Sequence, residues 1–248
     1  HAVGFDNIVV ADATARRIPV GNTPGILTDA TADFAFALLM SAARRVNEAE
    51  RYLRAGKWKT WGPSILLGMD FVGKTLGLVG FGRIGQAVAK RAAGFDLRMI
   101  YYDPGAEPAF NATPVNSLDA LLHEADFVSL HTPLNDSTRH MVNADFLGKM
   151  KRNAILVNTS RGPVVDQDAL YQALKSKTIF AAALDVTDPE PLPMNSPLLT
   201  LENCIIAPHI ASASEKTRDD MARLAANNLI AGLKGERLPH CVNPEVYE

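Results

Sequence analysis

Short apolar, β-branched runs alternate along this chain with longer segments of helical period, the pattern of a parallel sheet covered by helices. Strands are predicted at residues 75–79, 97–102, 127–131, 155–158, 180–186 and 204–207, with helices between them at 84–93, 118–125 and 167–175. Ser117 and Asp166 stand where a side-chain oxygen can accept from the free N–H groups of a first helical turn. Residues 29–55 read as one long helix, apolar at Phe34, Leu38 and Ala42 and charged from Arg44 to Arg51. Residues 214–233 read as a second long helix stopped by Gly235. The first two dozen residues are expected to hold short strand and turn pieces punctuated by Pro19, Pro24 and Gly25.

Composition narrows the partners more than the fold. With 248 residues, 47% of them hydrophobic and 21% charged, the chain has ample material for a core. A formal net charge of -2 gives no electrostatic reason to seek nucleic acid or an acidic membrane surface, so small molecules and copies of itself are the expected partners. No apolar stretch approaches the length of a membrane span. The two cysteines, Cys204 and Cys241, have neither zinc-ligand nor disulfide-framework spacing; no metal is expected, and a reducing, cytoplasmic setting is. The chain opens at His1 rather than Met and is expected to be a fragment or a processed product.

Residues 76–85 read L-G-L-V-G-F-G-R-I-G, an apolar strand running into G-x-G-x-x-G at Gly80, Gly82 and Gly85. The first glycine makes the tight turn, the second lets a pyrophosphate approach the backbone, and the third permits close helix-to-strand packing. The phosphates then meet the N–H groups at the start of the following helix. Asp103, at the end of the next strand, is placed to accept from ribose hydroxyls and to repel a 2′-phosphate, which points to NAD rather than NADP. The fold expected is a Rossmann-type doubly wound α/β sheet with helices on both faces.

Three groups follow successive predicted strands: Arg161, Glu190 and His209. In an open parallel sheet the ligand crevice lies outside the carboxyl ends of the strands, so these side chains can converge there. Hydride transfer at C2 of a 2-oxo or 2-hydroxy acid calls for a cation on the carboxylate and an acid or base on the oxygen. Arginine suits the first role through its planar fork, and histidine suits the second. A neighbouring carboxylate, Glu190, orients the imidazole and favours its charged form. Position alone leaves Arg161 and His209 equally open to ordinary surface or ion-pair roles. His1, His123, His140 and His240 are read as structural, and His131 as shaping the cofactor rim with Thr132 and Pro133.

The motifs G-F-G-R-I-G, H-T-P-L-N-D-S-T, L-V-N-T-S-R-G-P-V-V-D, A-L-D-V-T-D-P-E-P-L-P and I-I-A-P-H-I-A-S-A together resemble the D-isomer-specific 2-hydroxyacid dehydrogenases across nearly the whole chain. The resemblance implies Arg161 as carboxylate anchor, His209 as acid/base and Glu190 as its partner. For the cofactor it implies Arg83, Ile84, Asp103, Thr132, Thr159 and Ser160, with Asp185 near the nicotinamide carboxamide. His131, Pro133, Thr138, Arg161, His209, Ala211 and Ser212 complete the expected cofactor surround. The W-K-T-W-G-P stretch at 58–63 makes the chain most similar to glyoxylate and hydroxypyruvate reductases, in which such an arm wraps a second subunit, so a homodimer is implied. The organisation expected is a remnant of a flavodoxin-like substrate domain at 1–27, an NAD-binding domain at 28–212 whose helix and dimerisation arm occupy 28–63, and a helix at 213–248 returning to the substrate domain. The reading from another class is an NADH-binding module, truncated or sensing, with little or no turnover. Phosphoglycerate as substrate would call for an additional basic cluster, and none is evident.

Overall fold

The computed structural model describes residues 2–248, and the expectation for His1 lies outside the described residues. In chain order the elements are α1 (Val10–Ala15), α2 (Thr28–Ala43), α3 (Val46–Arg54), β1 (Thr75–Val79), α4 (Arg83–Ala92), β2 (Arg98–Tyr102), β3 (Thr113–Pro114), α5 (Leu118–Glu124), β4 (Phe127–Leu130), α6 (Ala144–Lys149), β5 (Ile155–Asn158), α7 (Gln167–Lys175), β6 (Ala181–Leu184), β7 (Cys204–Ile206) and α8 (Glu215–Leu233). The chain divides into two compact units, one of Thr31–Ala211 and one of the residues up to Ala30 together with Ser212–Glu248.

In the larger unit seven strands pair in the order β3-β2-β1-β4-β5-β6-β7, every pair parallel. Strands β1, β4, β5 and β6 are buried along their whole length, which is why they read as continuous apolar runs rather than alternating ones. Two apolar clusters mark the two faces. One gathers α2 and α4 with Phe71, Phe81, Tyr101 and Phe127, and the other gathers α5, α6 and α7 around Leu121, Phe146, Leu156 and Leu170. The strand order reverses between β1 and β4, so the crevice of a doubly wound sheet opens beyond the carboxyl ends of those two strands.

The predicted caps are present: Ser117 Oγ accepts from Ala120 N–H at 3.1 Å, and Asp166 Oδ1 accepts from Asp168 and Ala169 N–H at 3.1 and 3.0 Å. The single helix expected over 29–55 is instead two, α2 and α3, broken at Arg45 with φ +53. The break has a tertiary cause. A returning segment takes the last carbonyl of α2, with Met69 N–H donating to Ala43 O at 2.8 Å, and the Arg45 guanidinium clamps both Glu48 oxygens at 2.8 and 2.7 Å. Two short elements were not foreseen, the edge strand β3 and helix α6.

In the smaller unit the strand pieces expected near the start are replaced by helix α1 and a single antiparallel bridge between Gly21 and Cys241. Asn243 ties this unit together: its Oδ1 accepts from Val20 N–H at 2.7 Å, and its Nδ2 donates to Thr14 Oγ1 and Ile18 O, both at 3.0 Å. Helix α8 begins at its Ser214 cap, ends before Gly235 at φ +74, and presents Leu229, Ile230 and Leu233 to solvent. No helix among the described residues is long and apolar enough to cross a membrane.

Candidate active site

The glycine turn leaves β1 with Gly80 at φ +88, a conformation that favours glycine. A Cβ on Gly80 would lie 2.7 Å from the carbonyl of His131, and one on Gly85 would lie 2.4 Å from the Gly80 carbonyl oxygen, whereas Gly82 faces open space. The turn is therefore packed against β4 on one side and bare on the side a diphosphate would approach. Gly82 caps α4, so Arg83, Ile84 and Gly85 supply the first-turn residues of a ten-residue helix. Phe81 anchors the turn by stacking on Tyr101 with ring centroids 4.0 Å apart.

Asp103 sits just past β2 and is already engaged. Its Oδ2 accepts from Phe81 N–H at 2.8 Å and its Oδ1 from Gly105 N–H at 3.0 Å. Each oxygen keeps a second lone pair for a ribose hydroxyl. His131 N–H donates to Val79 O at 2.7 Å, and its Nε2 lies 2.9 Å from Ser129 Oγ. Burial pushes the His131 imidazole down from 6.5 to about 4, so the ring is neutral at physiological pH. Thr138 spends its hydroxyl within its own turn, donating to Pro133 O at 2.7 Å.

Two buried hydroxyls support a bound group here. Thr132 Oγ1, beyond β4, and Thr159 Oγ1, beyond β5, have no hydrogen-bond partner in the structure. Buried hydroxyls without partners are costly, and these two stand at the carboxyl ends of β4 and β5, the two strands that follow β1 across the crevice side of the sheet. The residues present fit a dinucleotide.

Beyond β5, the fully buried Asn158 turns the chain back: its Oδ1 accepts from Ser160 N–H at 2.9 Å and from Ser160 Oγ at 2.8 Å, while its Nδ2 donates to Arg161 O at 2.9 Å. Arg161 Nη1 donates to Ser160 O at 2.8 Å. The next residue, Gly162, abuts the Thr187 carbonyl so closely that a Cβ would sit 1.8 Å from that oxygen. The loop bearing Arg161 thus lies back to back with the loop leading to Glu190.

Glu190 and His209 meet, with Nδ1 2.9 Å from Oε2. A carboxylate can only accept, so Nδ1 carries the proton and Nε2 is the nitrogen turned to a ligand. The other Glu190 oxygen accepts from Thr187 N–H at 3.0 Å. Asp185 is buried and accepts from Ile210 and Ala211 N–H, both at 2.8 Å. Desolvation holds its carboxyl above the usual carboxylate range, against the pull of those two amides. Ser212 opens the smaller unit, and its carbonyl accepts from Ser214 N–H at 3.0 Å. A cleft of ≈ 480 Å³ adjoins the pair, lined by Glu190, Pro191, Leu192, Met194, Leu199 and His209 among others. A larger cleft of ≈ 720 Å³ lies at the amino ends of β5, β6 and β7, remote from this chemistry.

Of the three predicted groups, then, Glu190 and His209 are in direct contact, and Arg161 stands on the loop packed against Thr187. Sequence reasoning passed over Asn158 and Gly162, and the only signal either gave was its place beside Arg161 in N-T-S-R-G.

Comparison with known proteins gives a consistent picture. Residues 36–211 match the D-isomer specific 2-hydroxyacid dehydrogenase, NAD binding domain. A glyoxylate reductase of Korarchaeum cryptofilum is 58% identical over 252 residues, covering 100% of this chain and 76% of its own. The crystal structure of the TT0316 protein from Thermus thermophilus superposes with a TM-score of 0.93 at 51% identity, over 97% of this chain and 76% of that one. An NADPH-dependent glyoxylate/hydroxypyruvate reductase from Sinorhizobium meliloti, in complex with NADP and malonate, gives a TM-score of 0.88 at 35% identity over 98% and 76%. The chain spans about three quarters of the length of these relatives.

Proposed function

The chain belongs to the D-isomer specific 2-hydroxyacid dehydrogenases, and from that premise we propose that Arg161, Glu190 and His209 carry the reduction of glyoxylate or hydroxypyruvate. The enzyme is an oxidoreductase that passes a hydride between NAD(H) and a small 2-oxo or 2-hydroxy acid. The relatives' names, glyoxylate reductase above all, support the substrate.

The observation that carries the assignment is the 2.9 Å contact between His209 Nδ1 and Glu190 Oε2, which leaves Nε2 for the substrate. When bound, the nicotinamide supplies the hydride in reduction and takes it in oxidation. Arg161 pairs its guanidinium with the substrate carboxylate through two parallel hydrogen bonds. His209, protonated at both nitrogens, gives the Nε2 proton to the oxygen on C2 as negative charge develops there, and the neutral ring keeps its Nδ1–H on Glu190. Glu190 is held in turn by the Thr187 amide, so the imidazole has one orientation. In the oxidative direction His209 takes the hydroxyl proton back. Gly80, Gly82 and the first turn of α4 are proposed to hold the diphosphate, Asp103 the adenosine ribose, and Thr132 and Thr159 polar groups nearer the nicotinamide.

We also propose a homodimer. Trp58, Trp61, Leu67 and Val72 follow α3 and are exposed by 58, 77, 63 and 71%, a run of apolar surface that a second copy would cover. Sedimentation equilibrium checks this. The proposal extends to a cytoplasmic location, supported by two cysteines left as free thiols.

Following NADH oxidation with glyoxylate and with hydroxypyruvate, beside a direct NADH titration, tests the main reading. Turnover is expected, with kcat falling at least about 100-fold in His209→Gln. Binding without turnover would favour the dinucleotide-sensing module instead.

A further inference from the structure

Asp185 turns all three of its acceptor oxygens on the segment that carries the imidazole. It follows β6, is 1% exposed, and docks its own N–H on the Asn158 carbonyl at 2.9 Å. Its main-chain carbonyl accepts from His209 N–H at 2.8 Å, its Oδ1 from Ile210 N–H at 2.8 Å, and its Oδ2 from Ala211 N–H at 2.8 Å. Three consecutive amides therefore converge on one residue. The first of them belongs to His209, whose φ is +54. A side chain bearing a Cβ is disfavoured in that left-handed region and persists there only when its surroundings fix it.

We propose that Asp185 is a positioning residue: by fastening the amides of residues 209–211 it holds His209 in the left-handed turn from which its ring reaches Glu190. The proposal rests on the reading of His209 as the proton donor. The same residue also ties the two halves of the site together. Through its N–H it hangs from Asn158, whose side chain turns the Arg161 loop, so the carboxylate anchor and the acid share one rigid footing at adjacent strand ends. The charged groups around the strap are Glu190 and His209 themselves. Asparagine at 185 keeps the size but replaces one acceptor by an NH₂ that opposes an amide N–H, so the substitution cuts the strap without opening a cavity.

The test is a double-mutant cycle of Asp185→Asn and His209→Gln with three readouts. Asp185→Asn is expected to lower kcat about 100-fold while leaving KM for the 2-oxo acid within about threefold, with any change in the NADH dissociation constant too small to account for the loss. On the His209→Gln background it is expected to cost nothing further in kcat, because the strap then has no proton donor left to position. Equal losses on both backgrounds, or a weakened NADH affinity that accounts for the loss, would overturn the proposal in favour of a direct cofactor contact. The ring ¹⁵N signals of His209, read without any ligand, should shift in Asp185→Asn, and unchanged signals would count against the strap. Should His209→Gln retain full turnover, the acid assignment fails while the ring signals still judge the strap. If Asp185→Asn does not fold, amide exchange in the wild-type protein decides: protected Ile210 and Ala211 amides support the strap, and amides exchanging like open loop overturn it.

Discussion

Replacing Gly162 by alanine probes whether the Arg161 and Glu190 loops truly share one wall. The added Cβ would stand 1.8 Å from Thr187 O, 2.2 Å from Thr187 C and 2.9 Å from Asp188 N, all backbone atoms. Gly162 opens a short 3-10 turn and its φ is not in the left-handed region, so alanine meets no conformational penalty there and the whole effect is steric. Bringing the closest contact to 3.0 Å requires the two loops to part by about 1.2 Å. Overpacking of that kind costs about 2 kcal/mol, equivalent to a fall in Tm of roughly 4–8 °C for a chain of this size. The parting also moves Arg161 away from Glu190 and His209, and a misplacement of about 1 Å typically costs about 100-fold in rate. Steady-state kinetics with glyoxylate and a thermal melt read both effects, and an NADH titration reads how far Thr159, on the same loop, moves with Arg161. Gly148→Ala, in α6 with open space around it, is the control and should be neutral or slightly stabilising. A Gly162→Ala enzyme within threefold of wild type and 1 °C of its Tm would refute the shared wall.

Three further outcomes follow from the same structure. His131 is depressed from 6.5 to about 4, so between those values the unfolded chain binds more protons than the folded one. Stability should therefore be full above pH 6.5 and drain by about 2–3 kcal/mol as pH falls toward 4; urea denaturation across that range should lose this slope in His131→Gln. Cys204 is buried with its thiol pushed up to about 12, so it should resist alkylation in the native protein at neutral pH and react only on unfolding. Asp103→Ala removes the acceptor for Phe81 and Gly105 N–H; if Asp103 also takes the ribose as proposed, the NADH dissociation constant should rise about tenfold or more and discrimination against NADPH should shrink. An unchanged NADH/NADPH ratio would show that Asp103 serves only the turn.

Much of this architecture was legible because the signals were local or strictly periodic. Strands buried on both faces show as unbroken apolar runs, and β1 and β5 ended where the sequence said they would. The glycine turn was legible because each glycine answers to a steric demand, and the meeting of Glu190 with His209 because their strand ends are adjacent in a parallel sheet. What escaped was set by tertiary contact. The last α2 carbonyl, that of Ala43, is claimed by Met69 N–H, more than twenty residues on, which no helical period along 29–55 reveals. Helix α1 replaced an expected strand because Pro19 and Gly25 mark where a helix stops being possible without saying what precedes them.

The features hidden from sequence share a physical character: Asn158 and Gly162, and the grip of Asp185 on residues 209–211, act on backbone. A polar residue at a strand end reads the same whether it faces solvent or ties down a loop, and a glycine reads the same whether it needs positive φ or only lacks room. In this site the difference decides function. An arginine and an imidazole discriminate a 2-oxo acid only if their separation is fixed, and side chains on loops are fixed only through the main chain beneath them. Asn158 and Asp185 supply that fixation from the ends of the paired strands β5 and β6, where Asp185 N–H donates to Asn158 O at 2.9 Å. Turning such residues to alanine should then cost more in kcat than in stability, because the sheet below stays intact while the loops above lose their common reference.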